Sequence, residues 1–404
     1  MTDVVRISVD DIEQARELVD TLAVRTPMED SRWLSLLTGG QVRLKCENLQ
    51  RAGSFKVRGA FLRMSRLSDE ERARGVVAAS AGNHAQGVAL AAQTLGIEAT
   101  VFMPEGAPIP KEKATRGYGA NVVFHGRYLD DALVAAREFE ERTGAVLIHP
   151  FDNADIVTGQ GTCGLEILEQ APGVETVVVP CGGGGLLSGI AIAVKGHRPD
   201  VRVVGVQAEG AAAYPASLAA GHPVPLRSMS TIADGIAVGL PGKVPFATVR
   251  DLVDEVITVS EASLSRAVLA TLERAKMVVE PAGAAAVAAI LDDPGRFSTP
   301  TVAVLSGGNI DPLLLGKVIQ HGMAAAGRYL NLTVRIPDLP GGLARLLAEV
   351  GNAGANVIDV AHARIDADLS LDEVEVWLQL ETRGEAHTEM LLTRLRECGY
   401  QVFE

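Results

Sequence analysis

The chain has 404 residues, 47% of them hydrophobic and 22% charged, enough apolar matter for about two to three ordinary domains and too much for a disordered chain. Lysine and arginine number 37 against 50 aspartates and glutamates, a net charge of −13 that argues against nucleic acid or an anionic membrane as partner. No apolar run reaches the roughly 18 residues a membrane span needs, and the first residues lack a basic-then-apolar leader. Cys46, Cys163, Cys181 and Cys398 lie far apart with no Cys-x-x-Cys pair, so neither a disulfide framework nor a zinc site is indicated. The expected class is a reduced, cytoplasmic enzyme.

Val76–Ser80 reads as a buried strand and Ala85–Leu95 as a helix stopped at Gly96. Strand Ala99–Met103, helix Lys111–Gly117, strand Asn121–His125, helix Leu129–Arg142 and strand Ala145–His149 follow. The rhythm resumes with strand Thr176–Pro180, helix Leu186–Gly196, and strands Val201–Gln207 and Glu255–Val259. Helices Leu264–Ala275 and Ala282–Leu291, strand Thr301–Leu305 and helix Leu313–Ala325 close the series. Wholly apolar strands separated by helices imply an α/β fold with parallel sheets covered on both faces. Such sheets bind ligands at the carboxyl ends of their strands. The tail differs: strand Leu330–Ile336, helix Leu343–Ala353, strands Ala355–Ile365 and Glu373–Glu381, helix His387–Cys398 and strand Tyr400–Phe403 make a separate βαββαβ domain.

Three segments at expected strand ends carry chemistry. Lys56, in Gly53-Ser-Phe-Lys-Val-Arg-Gly-Ala60, follows a phenylalanine and precedes a short apolar helix. A lysine in an apolar pocket has a depressed pKa and can condense with a carbonyl, although a solvated surface lysine is the simpler reading of that residue alone. Ser80-Ala-Gly-Asn-His-Ala-Gln-Gly87 ends a strand and opens a helix, where free N–H groups and the helix dipole suit a carboxylate or phosphate. The plainer alternative is a helix capped by Ser80 or Asn83, with His84 packed in the core. Gly182, Gly183, Gly184 and Gly185 lie between an apolar strand and an apolar helix, a backbone nest for phosphate. The rival is a dinucleotide turn with Glu209 on a ribose, that is, an NAD-linked oxidoreductase; the glycine spacing departs from G-x-G-x-x-G, and this reading leaves Lys56 and Asn83 without a role.

Together, a Schiff-base lysine, a carboxylate turn and a phosphate nest are the parts pyridoxal phosphate chemistry requires. The chain resembles the threonine dehydratase (threonine ammonia-lyase) group of fold-type II pyridoxal-phosphate enzymes. SFKVRGA, SAGNHAQG, PCGGGGLLSG, EPAGA (Glu280–Ala284) and LSGGNID (Leu305–Asp311) occur in the family's order. The resemblance implies a tryptophan synthase beta-like fold with two parallel-sheet domains. A large domain would comprise residues 1–44 and 150–327, and a small one residues 45–149.

The resemblance also implies roles. Lys56 would carry the cofactor and remove the Cα proton. Gly182 to Gly185 with the Leu186 N–H would hold its phosphate, Asn83 would bond the ring 3′-oxygen, and Phe55 would pack beside the ring. Ser80, Ala81, Gly82 and His84, through side chains or backbone N–H groups, would bracket the substrate carboxylate. Ser306 would face the ring nitrogen, where a hydroxyl favours prompt elimination over transamination. Glu280 would line the site or cap the helix entered at Pro281. Related serine racemases carry a second serine where Ala81 stands, so a methyl group here disfavours inversion at Cα. Some relatives bind a cation after the fifth strand; Glu209 matches one ligand, but the aspartate position reads Pro215, and no metal is expected. The expected reaction turns L-threonine into 2-oxobutanoate and ammonia, and L-serine into pyruvate, on a homodimer or homotetramer. The tail, residues 328–404, resembles an ACT domain through Asp338-x-Pro-Gly and Asn356-Val-Ile. That likeness implies an isoleucine or valine effector, and leaves isoleucine biosynthesis and threonine breakdown both open as roles.

Overall fold

A computed structural model describes residues 6–363 and 372–403. The chain divides into two compact units, residues 1–315 and 316–404. The first holds two sheets. The larger has the strand order Met28–Asp30, Val42–Lys45, Thr301–Val304, Thr176–Pro180, Arg202–Ala208, Glu255–Val259, and is parallel except for its first pair. The smaller has the order Asn121–Phe124, Ala99–Met103, Val76–Ala79, Val146–Leu147, parallel throughout. Strands Val76–Ala79, Ala99–Met103, Thr176–Pro180 and Thr301–Val304 are buried at every residue, which is why they read as unbroken apolar runs.

The expected alternation holds through most of the first unit, but several helices were not foreseen. Val9–Val19 opens on a Ser8 capping box with Asp11. Arg32–Thr38 and Lys243–Leu252 also form. The largest omission is the 17-residue helix Ala154–Gln170, capped by the Asn153 side-chain oxygen Oδ1, which accepts from the N–H groups of Asp155 and Ile156. Its glycines lower helix propensity, yet each meets a neighbouring chain segment. A Cβ at Gly159 would lie 2.7 Å from the Arg58 carbonyl oxygen, and one at Gly164 would lie 2.8 Å from the Ala193 side chain. Close packing outweighs propensity here. Two expected helices are shorter than read: Glu261–Ala270 passes into a π turn at Thr271–Ala275, and the helix after Pro281 begins only at Ala285.

The second unit carries an antiparallel sheet in the order Asn356–Ala363, Glu373–Glu381, Tyr329–Pro337, Gln401–Phe403. Helices Gly342–Asn352 and Glu385–Glu397 complete the βαββαβ order. Burial alternates along Glu373–Glu381, with Val374, Val376, Leu378 and Leu380 turned inward. The edge strand Asn356–Ala363 is exposed along most of its length. The end of the expected strand Ala355–Ile365 lies outside the described residues.

Candidate active site

Register places the chemistry. Thr301–Val304 lies in parallel register with Thr176–Val178 on one side and Val42–Lys45 on the other, so the turns leaving these strands emerge side by side. Ser306 follows one of them and the tetraglycine segment follows another. The segment leading to Lys56 is tied to the Ser306 turn: the Phe55 N–H donates to the Ser306 carbonyl at 3.3 Å, Gly308 N–H donates to the Gly53 carbonyl at 2.9 Å, and Ser54 bridges Gly307. Helix Lys56–Ser65 starts there. One cavity is lined by Phe55, Lys56, Asn83, Gly182 to Leu186, Glu280 and Ser306 together.

The glycine wall is made of backbone. Gly184 sits in the left-handed region at φ 97°, and a Cβ there would meet the Tyr214 hydroxyl at 1.9 Å. One at Gly183 would strike the Phe151 ring at 2.5 Å. The Tyr214 hydroxyl donates to the Gly183 carbonyl at 3.2 Å. Helix Gly185–His197 begins on this loop without a side-chain cap, so its first N–H groups and dipole face the loop.

The opposite wall is made of side chains. Lys56 Nζ donates to the Pro150 carbonyl at 2.9 Å and lies 5.3 Å from the Phe55 ring centre. Burial pushes its pKa down to about 8, against the pull of Glu280. Asn83 Nδ2 donates to Glu280 Oε1 at 2.5 Å, while Asn83 Oδ1 accepts from Asn309 Nδ2 at 2.9 Å. Burial pushes Glu280 up to about 7, although Lys111 and the Asn83 hydrogen bond oppose it. Glu280 therefore lines the cavity; the helix beyond Pro281 begins at Ala285, and its N-cap position, Ala284, has no side-chain cap.

The 80–84 turn departs from its simpler reading in its cap and matches it at His84. Gly82 occupies the N-cap position of helix Asn83–Leu95 with no side-chain cap, and the Ser80 hydroxyl instead accepts from the Gly82 N–H at 3.1 Å. The helix N-terminus thus keeps its N–H groups clear of side-chain caps. Of this turn Asn83 alone joins the cavity wall; Ser80, Ala81, Gly82 and His84 do not. His84 is buried, with Nε2 against the Ile148 carbonyl at 2.7 Å, and burial followed by the Lys56 charge pushes it down to about 3. Neutral imidazole with that partner is a donor. Glu209 stands on an exposed turn outside the cavity.

Two residues beyond Lys56, at Arg58, lies a buried knot of charge that the sequence reading did not find. Arg58 donates to both oxygens of Glu47 at 2.8 Å and to Glu166 at 2.7 Å. Lys45 donates to Glu166 at 2.5 Å and to the Thr26 carbonyl at 2.9 Å. Burial opposes ionisation of Glu47, but Arg58 wins and holds it below the ordinary carboxylate range. Two cations and two carboxylates leave the knot neutral, the condition for burying charge at tolerable cost. Pro150 and Phe151, also missed, follow a small-sheet strand and were discoverable by the strand-end rule. Gly235 and Ile236 come from a turn-rich stretch with no periodicity to mark it.

The donor set fits a phosphorylated carbonyl cofactor: a lysine of lowered proton affinity, a glycine-only backbone loop at a helix N-terminus, and an asparagine and a serine in one cavity. The family model "Pyridoxal-phosphate dependent enzyme" matches residues 19–307. The L-threonine ammonia-lyase of Thermotoga maritima is 46% identical over 396 residues, 98% of this chain and 99% of that protein. The catabolic L-threonine dehydratase TdcB of Escherichia coli is 44% identical over 308 residues, 76% of this chain and 94% of that protein. Among solved structures, threonine deaminase isoform 2 from Solanum lycopersicum, in its processed form, superposes with a TM-score of 0.73 at 38% identity, covering 77% of this chain and 88% of that one. Maize serine racemase gives 0.73 at 38%, covering 77% and 96%.

Proposed function

The chain belongs to the pyridoxal-phosphate-dependent enzymes, and from that premise we propose an ammonia-lyase that converts L-threonine to 2-oxobutanoate and ammonia, and L-serine to pyruvate. The observation carrying this reading is the placement of Lys56 Nζ and the tetraglycine loop on one cavity. Bound there, pyridoxal phosphate supplies a carbonyl for amines and a ring that draws electrons from Cα. The protein supplies the rest. Lys56, held near a pKa of 8 by burial, spends part of its time uncharged at neutral pH and can attack a carbonyl or take a proton at Nζ. The N–H groups of Gly182 to Gly185 and Leu186 would hold the phosphate, Asn83 would donate to the ring oxygen, and Phe55 would flank the ring. Ser306 would be the partner of the ring nitrogen, where a hydroxyl brings no full charge to keep that nitrogen protonated, a setting that suits loss of the β-hydroxyl. The uncapped N–H groups that open helix Asn83–Leu95, next to the cavity at Asn83, would receive the substrate carboxylate. Ala81 offers no proton donor, so the opposite face of Cα stays unserved and inversion is disfavoured.

The same proposal extends to organisation. Residues 1–44 and 150–327 form the large catalytic domain, 45–149 the small one, and 328–404 an ACT-like regulatory domain. Its βαββαβ order and exposed edge strand Asn356–Ala363 support pairing between copies, with isoleucine or valine as effector on a homodimer or homotetramer. Three free buried cysteines suit a reducing cytoplasm. Among the described residues no helix is long and apolar enough to cross a membrane.

The test is ammonia and 2-oxo acid release from a panel of 3-hydroxy amino acids, with and without isoleucine or valine. Turnover is expected on L-threonine first and L-serine second. Turnover confined to acidic or aromatic substrates, or interconversion of enantiomers without ammonia, would overturn the substrate reading. Rates unchanged by either effector would overturn the regulatory one.

A further inference from the structure

We propose that Asn309 is a positioning residue that fixes the amide of Asn83 with its Nδ2 end toward the cleft. The inference rests on the reading that Asn83 donates to the cofactor's ring oxygen. Asn309 sits three residues beyond Ser306, and its Nδ2 lies 2.7 Å from the Ala52 carbonyl oxygen and 2.9 Å from Asn83 Oδ1. A backbone carbonyl only accepts, so the Asn309 atom facing Ala52 must be the amide nitrogen. That nitrogen spends its second hydrogen on Asn83, so the Asn83 atom facing it must be the oxygen. The Asn83 nitrogen then points the other way, where it meets Glu280 Oε1. One of its two hydrogens is committed to Glu280, and the other remains at the cavity wall.

The orientation is inherited from the backbone. Ala52 holds a left-handed conformation at φ 56°, unusual for a residue with a side chain, and Gly53 follows at φ 70°. Gly53 N–H donates to the Gln50 carbonyl at 2.8 Å, and the Gly53 carbonyl accepts from Gly308. A Cβ at Gly53 would lie 2.3 Å from Asn309 Oδ1, and one at Gly307 would lie 2.3 Å from Glu280 Oε1. The relay from Ala52 through Asn309 to Asn83 is therefore closely packed, and its donor-to-acceptor order allows one orientation at each amide. A reversed Asn83 would present its carbonyl oxygen to the electron-rich ring oxygen and repel it.

The experiment uses the full chain and measures the dissociation constant of pyridoxal phosphate, together with the wavelength of the bound cofactor's visible band. Asn309→Asp offers only acceptors to Asn83 and is expected to weaken cofactor binding at least about tenfold and to shift the band. Asn309→Ala frees Asn83 to take either orientation and should weaken binding less. Both effects should vanish when introduced into Asn83→Ala, because nothing is left to orient. If Asn309→Asp does not fold, the same cycle with Asn309→Ala decides. Full-sized losses persisting in the Asn83→Ala background, or wild-type cofactor binding in the Asn309 variants, would overturn this inference. Unaltered cofactor binding in Asn83→Ala itself would instead overturn the reading of Asn83.

Discussion

The two walls of the cleft solve the same problem with different materials. The glycine wall offers only backbone, to bind through N–H groups in the proposed reading, and is shaped by what cannot fit, Tyr214 and Phe151 standing where a Cβ at Gly184 or Gly183 would go. The Lys56–Asn83–Glu280 wall offers side chains, each held by a named partner, two of them titratable. The first wall has no titrating group facing the cofactor. The second carries Lys56 at about 8 and Glu280 at about 7. Substitutions on one wall should act through sterics at any pH, and on the other through electrostatics that depend on it.

The strongest challenge to this contrast is Lys56→Ala. Ammonia release is expected to fall by at least about 10³-fold in a steady-state assay, while removal of a buried amine leaves urea unfolding of the cofactor-free chain no weaker than wild type. Activity surviving in this variant would strip the side-chain wall of its chemistry. Gly184→Ala tests the other wall. Its positive φ and the overlap with Tyr214 should cost about 2–4 kcal/mol in urea unfolding and weaken cofactor retention. The loss should be equal at pH 6 and pH 8; a loss that changed with pH would erase the distinction.

The smallest effect is the most diagnostic. Glu280 is raised from 4.5 to about 7 in the folded chain, so between those values the folded state holds a proton the unfolded state has released. The stability this contributes is complete below pH 4.5 and is lost as pH rises through 7, a swing of up to about 3 kcal/mol. Glu280→Gln lacks that swing, so its urea midpoint should gain on wild type steadily from pH 5 to pH 8. His84 and His149, pushed down to about 3 and about 4 mainly by burial, drive stability the other way below pH 6.5. They are common to both chains and cancel in the comparison. A constant gap between the two would show that Glu280 titrates like an exposed carboxylate.

The same contrast explains what could be read from the sequence. A backbone wall is written in consecutive letters: four glycines between a strand and a helix can be read as a nest before any fold is known. The parallel sheets were legible for the same local reason, since strands buried on both faces are apolar end to end. A side-chain wall depends on residues brought from afar. Asn309 stands 226 positions from the amide it holds, and no local pattern announces it, although it lies inside a quoted motif. Helix Ala154–Gln170 escaped because its glycines, which weaken a helix in isolation, are the points where other segments press against it. The foreseen helix over Leu264–Ala275 overran because nothing in its apolar spacing signals the π turn at Thr271–Ala275 or the left-handed Lys276 beyond it.

The charge knot around Arg58 on the lysine helix constrains how this protein can diverge. Lys45, Glu47, Arg58 and Glu166 sum to zero only as a quartet, so losing one strands a bare ion in a dry interior and no single step leads smoothly to an apolar replacement. A chimera spliced between Arg58 and Glu166 from parents that balance this quartet differently would inherit the imbalance, however similar the parents are elsewhere. The members should be exchanged as a set.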